Sequence, residues 1–252
     1  MSNDSRPVAL VTGASYGLGA AIATKLAGDG FDVAVTELNP ADLSDTLAAI
    51  EKAGGQGYRV ALDLRSDESI AAAVAVVLEQ LGRIDLLVNN AAMLLAKPAL
   101  DVAADEFETV MRINVTGTYM ITQAVARHLI GSGRPGQIIN IASTFTTIGS
   151  VNVSPYGISK AAIGGLTRHL ATEWAPHDIR VNAVAPGTSM TKLRAEIFEN
   201  DRKRREAGLS KIPLGRFTEP EDIAGAVSYL ASSAAAYVTG HVLAVDGGMT
   251  VT

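Results

Sequence analysis

The sequence predicts an α/β fold in which helices flank one doubly wound, seven-stranded parallel sheet. Two patterns indicate it: short β-branched runs alternate with Ala-rich amphipathic stretches, and the apolar runs do not alternate with polar residues. Non-alternating apolar runs are typical of strands buried on both faces, as in a parallel sheet covered by helices. Alternating strands and helices favour right-handed crossovers. Because no Pro/Gly/Ser-rich linker or charge block divides the chain, residues 1–252 are expected to form a single domain.

The individual elements follow from the same patterns. Strands are predicted at residues 8–12, 32–36, 58–62, 85–88, 137–141, 179–183 and 241–245. Helices are predicted at residues 18–29, 43–53, 67–81 and 106–130. The least regular region is residues 188–213, and its basic run from Arg202 to Arg205 is typical of a solvated helical face.

Composition narrows the possible functions. A chain of 252 residues that is 48% hydrophobic and 19% charged can bury a large core, so disorder is not expected. The absence of cysteine excludes disulfides and thiolate chemistry, and the four histidines show no metal-ligand spacing, so no metal is predicted. A net charge of −5 disfavours a nucleic-acid partner. With no signal-peptide pattern and no apolar run of about 18 residues, no membrane association and a cytoplasmic location are expected.

A glycine-rich turn joins the first predicted strand to the first helix. It reads Thr12-Gly13-Ala14-Ser15-Tyr16-Gly17-Leu18-Gly19. Glycine permits a tight turn and a close backbone approach to a pyrophosphate, and a helix N-terminus offers free N–H groups with a positive dipole end. The position of this turn therefore predicts a Rossmann-like dinucleotide site. An ordinary strand-to-helix turn is the alternative.

Glu37 lies at the end of the second predicted strand, about 20 residues beyond the glycines. A carboxylate at this place can accept hydrogen bonds from the adenosine ribose hydroxyls and would repel a 2′-phosphate. Position 16 is tyrosine, and the turn carries no Arg or Lys that would neutralise an extra phosphate. NAD is therefore the preferred cofactor, with NADP left open. A solvated loop carboxylate is the alternative interpretation of Glu37.

Polar residues also follow the third and fourth predicted strands, as Asp63-Leu64 and Asn89-Asn90-Ala91-Ala92. The carboxyl ends of parallel strands are where such sheets bind ligands. Asp63 is therefore a candidate acceptor for the adenine amino group. Because Asp and Asn also favour turns, a purely local role remains open.

The candidate catalytic pair is Tyr156 and Lys160. Ser154-Pro155 is predicted to start a helix, with the serine as its cap and the proline at its first helical position. Tyr156 and Lys160 then lie one turn apart on the same face. An isolated tyrosine has a pKa of about 10 and is a poor base at neutral pH. An adjacent ammonium and a helix N-terminus both stabilise phenolate, which is the physical reason for a lysine at this spacing.

Two further polar residues complete this group. Ser143 follows the fifth predicted strand and can donate a hydrogen bond to a substrate oxygen. Asn114 is a polar residue inside the predicted helix 106–130, where it could hold a water molecule next to Lys160.

With these motifs in place, the chain resembles the short-chain dehydrogenase/reductase family from its first predicted strand to its C-terminus. The resemblance rests on residues 12–19, Asp63, residues 89–91, Asn114, Ser143, Tyr156-Gly-Ile-Ser-Lys160, Pro186-Gly187 and Val245-Asp246-Gly247-Gly248. It departs from the family pattern at Ala92, where glycine is usual.

The resemblance implies a role for each of these residues. Ser143, Tyr156 and Lys160 are expected to be catalytic, with Asn114 completing a proton relay. Lys160 is also expected to bind the nicotinamide ribose. The cofactor-binding residues predicted from motifs and resemblance together are Gly13, Ser15, Tyr16, Gly17, Leu18, Gly19, Glu37, Asp63, Leu64, Asn90, Ala91, Tyr156, Lys160, Pro186, Gly187, Thr188 and Thr191.

The implied reaction is hydride transfer between C4 of the nicotinamide and a carbon of a small alcohol or carbonyl substrate. Family members differ in substrate through the loop that here spans about residues 188–214, and this loop gives no readable substrate code. Lys192, Arg194 and the basic run favour an anionic or polyol substrate, whereas Phe145 and Met190 would suit an apolar one. A sugar or polyol dehydrogenase is preferred because Glu37 favours NAD. A 3-oxoacyl-[acyl-carrier-protein] reductase is the alternative, and a non-catalytic cofactor-binding regulator is a remote one.

The helix that follows Tyr156 is rich in small residues, among them Ala161, Gly164 and Gly165. Small residues allow close helix approach, and in this family the corresponding helix usually packs against a partner subunit. A homotetramer is therefore expected, with packing inside one chain as the alternative.

Overall fold

Seven strands lie parallel in one sheet within the described part of the chain. The computed structural model describes residues 6–190 and 201–251. The strands are β1 Val8–Val11, β2 Asp32–Glu37, β3 Gly57–Ala61, β4 Leu86–Asn89, β5 Gly136–Ile141, β6 Ile179–Pro186 and β7 Val242–Val245. Their order is β3-β2-β1-β4-β5-β6-β7. The direction of winding reverses between β1 and β4, which opens a crevice at their carboxyl ends. The predicted doubly wound seven-stranded sheet is confirmed.

Helices cover both faces of this sheet. They are α1 Gly17–Gly28, α2 Ser44–Lys52, α3 Asp67–Leu81, α4 Ala104–Met111, α5 Thr118–Ser132, α6 Ser154–Trp174, α7 Arg202–Leu209 and α8 Pro220–Ala231. Helices α3, α5 and α6 pack on one face, around Leu10, Leu87 and Ile138. Helices α1, α2 and α8 pack on the other face, around Val11 and Val88. Neighbouring strand residues are thus buried on opposite faces, which explains the non-alternating apolar runs.

The sixth strand is longer than its sequence pattern predicts. It was expected to end at Ala183, but it continues to Pro186, which pairs with Val245 of β7. Proline is tolerated because the pairing of β6 with β5 ends at Val184, so that side of residue 186 is a free edge. The ladder toward β7 continues through the next residue, since the Gly187 N–H donates to the Val245 carbonyl over 3.0 Å. Pro186 is therefore fixed by the sheet itself.

The predicted helix at 106–130 is in fact interrupted. Helical structure runs from α4 to α5, but a π-helical turn, Arg112–Gly117, separates the two. Gly117 permits a close approach to the segment after β3, because a Cβ at this position would lie 2.4 Å from the Leu64 carbonyl oxygen. π-Helical turns are often found at functional sites. This one contains Asn114.

We expect Gly117→Ala to destabilise the protein by about 1–3 kcal/mol, because the added methyl group must displace backbone. The matched control is Gly131→Ala in α5, where a Cβ would meet nothing within 4 Å. That change should be neutral or stabilising by up to about 1 kcal/mol, since alanine is the better helix former. Urea unfolding measures both free energies. Equal free energies for the two variants would contradict a tight contact at Gly117.

Candidate active site

The glycine-rich turn crosses directly over the end of β4. Gly13 has a φ of +64°, and a Cβ there would lie 2.8 Å from the Cα atom of Ala91. At Gly19 a Cβ would lie 2.3 Å from the Gly13 carbonyl oxygen and 2.6 Å from the Asn90 side-chain nitrogen. Both positions therefore require glycine for close packing of the turn.

Asn90 and Ala91 hold this turn in place. The Asn90 side-chain amide donates to the carbonyls of Thr12, over 3.0 Å, and Gly13, over 2.7 Å. The backbone N–H groups of Asn90 and Ala91 both donate to the Thr12 hydroxyl over 3.0 Å. These bonds join segments far apart in sequence, so they differ from the local turn role that was left open for Asn90. Neighbouring Asn89 points into the core, where its amide donates to Thr122 and Asn140. Ala92, the departure from the family pattern, is exposed.

The N-terminus of α1 fits a phosphate group. Tyr16 precedes the helix without a side-chain capping bond, and the first turn carries no acidic residue. The uncapped N–H groups and the positive dipole end therefore remain for an anion. Gly17 has a φ of +62°, and a Cβ at this position would meet nothing within 4 Å, so this side of the turn is open. Tyr16 is exposed, and Leu18 packs on the apolar cluster beneath α1. These features suit a dinucleotide pyrophosphate.

Glu37 ends β2 beside the glycine turn. The Ser15 hydroxyl donates to Glu37 Oε2 over 2.6 Å, and the Leu38 N–H donates to Oε1 over 3.0 Å. The two segments are also joined through the backbone, because the Ala14 N–H donates to the Thr36 carbonyl over 3.1 Å. The carboxylate predicted to bind ribose is thus held by two donors.

Asp63, the predicted adenine acceptor, is bound to Arg65. The Arg65 guanidinium donates to both carboxylate oxygens, at 3.0 Å to Oδ1 and 2.8 Å to Oδ2. Hydrogen bonding to Arg65 holds the pKa of Asp63 below its usual value. Asp63 is therefore a charged acceptor at the carboxyl end of β3. Leu64 is buried, and its carbonyl lies against Gly117.

Tyr156 and Lys160 lie in the first turns of α6. The helix begins at Ser154 with Val153 as its N-cap, and the Gly157 N–H donates to the Val153 carbonyl over 2.8 Å. The prediction that Ser154 caps the helix is therefore wrong by one residue, because the helical hydrogen bonds already start at Val153. The predicted helix start at this place is otherwise right. The first turn carries no acidic residue that would oppose a phenolate.

Lys160 is buried beside Tyr156. Its Nζ atom lies 5.5 Å from the centroid of the Tyr156 ring and donates to the Ile141 carbonyl over 2.6 Å. Burial lowers the pKa of Lys160 to about 8. The ammonium is thus fixed between the end of β5 and the tyrosine ring, where it can stabilise a phenolate.

Ser143 follows β5 and is buried close to the same helix. Its hydroxyl accepts from the Phe145 N–H over 3.2 Å, which starts a short 3₁₀ turn, Thr144–Thr146. The Phe145 ring meets the Tyr156 ring edge-on at 6.1 Å between centroids. Sequence reasoning assigned Phe145 to a substrate pocket and missed this contact. The structure therefore brings the Ser143 turn and Tyr156 together through Phe145.

Asn114 is buried in the π-helical turn. Its Oδ1 atom accepts from the Met93 N–H over 2.7 Å, and its Nδ2 atom donates to the Met93 carbonyl and to the Ser159 hydroxyl, each over 2.9 Å. Its side chain thus binds Met93 and Ser159, where the sequence analysis expected a water beside Lys160. The structure shows Asn114 holding the segment after β4 against α6. Ser159, between the two catalytic candidates, was missed, although its place in the Tyr156-to-Lys160 motif was a signal.

The predicted nicotinamide end lies at the carboxyl end of β6. A Cβ at Gly187 would lie 2.8 Å from the Cα atom of Asp246, so β6 and the segment after β7 are in close contact. The Thr188 carbonyl accepts from the Thr218 N–H over 3.0 Å. Thr191 lies outside the described residues, as do Lys192 and Arg194.

The described part of the predicted substrate loop packs against the C-terminal segment, residues 246–250. The Leu214 N–H donates to the Gly247 carbonyl over 3.1 Å, and a Cβ at Gly248 would lie 2.9 Å from the Pro213 ring. Met190 and Met249 pack on one apolar cluster with Ile212, Phe217 and Leu209. The basic run lies in α7 and Arg202 is exposed, as predicted.

Among residues 6–190 and 201–251, no group of three or more His, Cys, Asp or Glu side chains could hold a metal ion. In the same described residues, no helix is long and apolar enough to cross a membrane.

Known proteins match this chain over nearly its whole length. The sequence model of a family described as Enoyl-(Acyl carrier protein) reductase matches residues 13–250. A 2-dehydro-3-deoxy-D-gluconate 5-dehydrogenase of Escherichia coli is 37% identical over 241 residues, which cover 96% of this chain and 94% of that enzyme.

Two solved structures show the same fold. A short-chain type dehydrogenase/reductase from Mycobacterium marinum has a TM-score of 0.91 and 36% identity, covering 98% of this chain and 96% of that one. A candidate 2-deoxy-D-gluconate 3-dehydrogenase from Agrobacterium tumefaciens, with bound NADP, has a TM-score of 0.88 and 37% identity, covering 98% of this chain and 97% of that one. With matches that span nearly its whole length, the chain belongs to the short-chain dehydrogenase/reductase family.

Proposed function

We propose that this oxidoreductase is an NAD-preferring dehydrogenase of a sugar or polyol, with Tyr156 as its proton-transfer residue. The observation that carries the chemistry is the buried Lys160 ammonium, whose Nζ atom lies 5.5 Å from the Tyr156 ring centroid. A buried cation beside a phenol favours the phenolate that a base needs.

The proposed roles follow from these positions. A nicotinamide bound beside Tyr156 would supply the hydride acceptor for oxidation, or the hydride donor for reduction, at its C4 atom. In alcohol oxidation Tyr156 takes the hydroxyl proton while the substrate carbon loses its hydride, and in reduction Tyr156 returns that proton to the oxygen. Lys160 stabilises the phenolate and, by resemblance, binds the nicotinamide ribose. Ser143 donates a hydrogen bond to the substrate oxygen, and Asn114 supports α6 through Ser159. The proton relay through Asn114 that the resemblance implies stays a prediction.

The proposed cofactor site combines the α1 N-terminus for the pyrophosphate with Glu37 for the adenosine ribose. Asp63 and Leu64 would face the adenine, and residues from Pro186 to Thr191 the nicotinamide. NAD is preferred because the Glu37 carboxylate would repel a 2′-phosphate. A similar chain binds NADP, so the preference needs direct measurement.

The proposed substrate class rests on the relatives. The Escherichia coli enzyme and the Agrobacterium protein are both named for dehydrogenation of a gluconate derivative. A 3-oxoacyl-[acyl-carrier-protein] reductase is the second candidate, because the matching family is described by an acyl-carrier-protein substrate. The described part of the proposed substrate loop contains the basic helix α7. It also contains residues of the apolar cluster around Met190.

We propose that the chain acts as a single domain and assembles as a homotetramer. A Cβ at Gly165 of α6 would meet nothing within 4 Å, so this position is open to a partner helix, whereas Gly164 packs on Thr146 of its own chain. Light scattering coupled to size exclusion measures the assembly. A cytoplasmic location stays a prediction.

We expect the highest kcat/KM with a sugar or sugar acid and NAD. The measurement is an absorbance screen at the NADH band with sugars, sugar acids, polyols, secondary alcohols and 3-oxoacyl thioesters, each with both cofactors. Faster turnover of a 3-oxoacyl thioester would favour the second candidate. Cofactor binding without any turnover would favour a regulator.

Tyr156→Phe should lower kcat by at least about 10²-fold, because the proton-transfer group is removed. The NADH dissociation constant should stay within about twofold, since a phenyl ring keeps the packing against Phe145. The matched control is Tyr237→Phe, because Tyr237 is fully exposed. Steady-state kinetics and fluorescence titration of NADH measure the two quantities. A Tyr156→Phe enzyme as fast as wild type would rule out the mechanism.

Lys160 should make the free energy of unfolding depend on pH in the alkaline range. Its ordinary pKa is 10.5, and burial lowers the value to about 8 in the folded chain. Between these two values the unfolded chain binds more protons at Lys160 than the folded chain, so the free energy of unfolding rises with pH there. We therefore expect the wild type to gain stability relative to Lys160→Met from pH 8 to 10.5. Urea unfolding of both proteins without cofactor tests this, and a constant difference would contradict a lowered pKa.

A further inference from the structure

The glycine-rich turn and the end of β2 are joined by side chains as well as by backbone. The Ser15 hydroxyl donates to Glu37 Oε2 over 2.6 Å, across 22 residues of sequence. The backbone at Ser15 is also fixed by α2. The Thr46 hydroxyl of that helix donates to the carbonyls of Ala14, over 2.7 Å, and Ser15, over 3.4 Å. The position of Ser15 is therefore set by α2 as well as by the turn.

Glu37 is consequently restricted at both carboxylate oxygens. Oε2 accepts from Ser15 and Oε1 accepts from the Leu38 N–H over 3.0 Å. A carboxylate has about four lone-pair sites, so these two bonds leave each oxygen able to accept one more donor. Two free acceptor sites match the two hydroxyls of an unmodified ribose. An unrestrained glutamate side chain would lose conformational entropy when the ribose fixes it, a loss that the existing bonds reduce.

We infer that Ser15 is a positioning residue for cofactor specificity: its hydroxyl fixes the Glu37 carboxylate in the orientation that accepts the ribose hydroxyls and excludes a 2′-phosphate. This inference rests on the proposed NAD preference. Without the Ser15 hydroxyl, Glu37 can turn away from the ribose, so NADH loses a preformed partner and NADPH meets less repulsion. Ser15 thus acts through Glu37 and favours the binding of NADH over that of NADPH.

The experiment measures dissociation constants of NADH and NADPH by fluorescence titration, independently of turnover. Ser15→Ala should weaken NADH binding about three- to tenfold, the usual worth of one hydrogen bond, and should not weaken NADPH binding. Ser15→Thr keeps the hydroxyl and should keep the wild-type ratio. The control for a serine-to-alanine change is Ser132→Ala at the end of α5, which should alter neither constant.

A double-mutant cycle with Glu37→Ala separates positioning from a general effect on the turn. If Ser15 acts through Glu37, Ser15→Ala should change the NADH-to-NADPH ratio less than twofold once Glu37 is alanine. Equal weakening of NADH and NADPH binding by Ser15→Ala would overturn the role of Ser15 and leave the NAD proposal standing. The same holds if Ser15→Ala changes the NADH-to-NADPH ratio as much in the Glu37→Ala background as in the wild type. A ratio that Glu37→Ala itself does not move would overturn the NAD proposal, and the inference with it.

Discussion

The close crossing of the glycine-rich turn over the end of β4 is the constraint on which the rest of the site depends. Gly13 and Ala91 are so near that a single methyl group would not fit, and the Asn90 amide binds two carbonyls of the turn. This contact decides where α1 begins and where its free N–H groups lie. It also brings Ser15 level with Glu37, because β1 and β2 pair in register beneath them. The proposed sites for the cofactor phosphate and for its ribose are therefore joined by direct hydrogen bonds.

A second set of contacts aligns α6, which carries the proposed catalytic pair, with the same sheet. Lys160 reaches the carbonyl of Ile141 at the end of β5, and Asn114 joins Met93 to Ser159 one residue before that lysine. The helix is thus held from two neighbouring strands rather than by its own packing alone. A base and the ammonium that activates it need fixed relative positions, since electrostatic stabilisation depends on preorganised geometry.

The sequence was sufficient for features with a regular period or a short spacing. Strands buried on both faces leave unbroken apolar runs, and a spacing of four residues places Tyr156 and Lys160 on one helical face. The sequence was insufficient to predict local structure that depends on contacts with distant segments. The π-helical turn depends on the approach of Gly117 to Leu64, and the role of Asn114 depends on a carbonyl and a hydroxyl from two other elements. No local pattern encodes such contacts.

The packing of residues 246–250 against Pro213 and Leu214 joins this segment to the described part of the proposed substrate loop. Asp246 strengthens this arrangement by accepting three hydrogen bonds from Gly248 and Thr250. A peptide tag attached after this segment would therefore lie close to the loop that we propose selects the substrate. Substrate preferences measured on such a fusion would include the tag's own influence, so tag removal belongs before any screen of specificity.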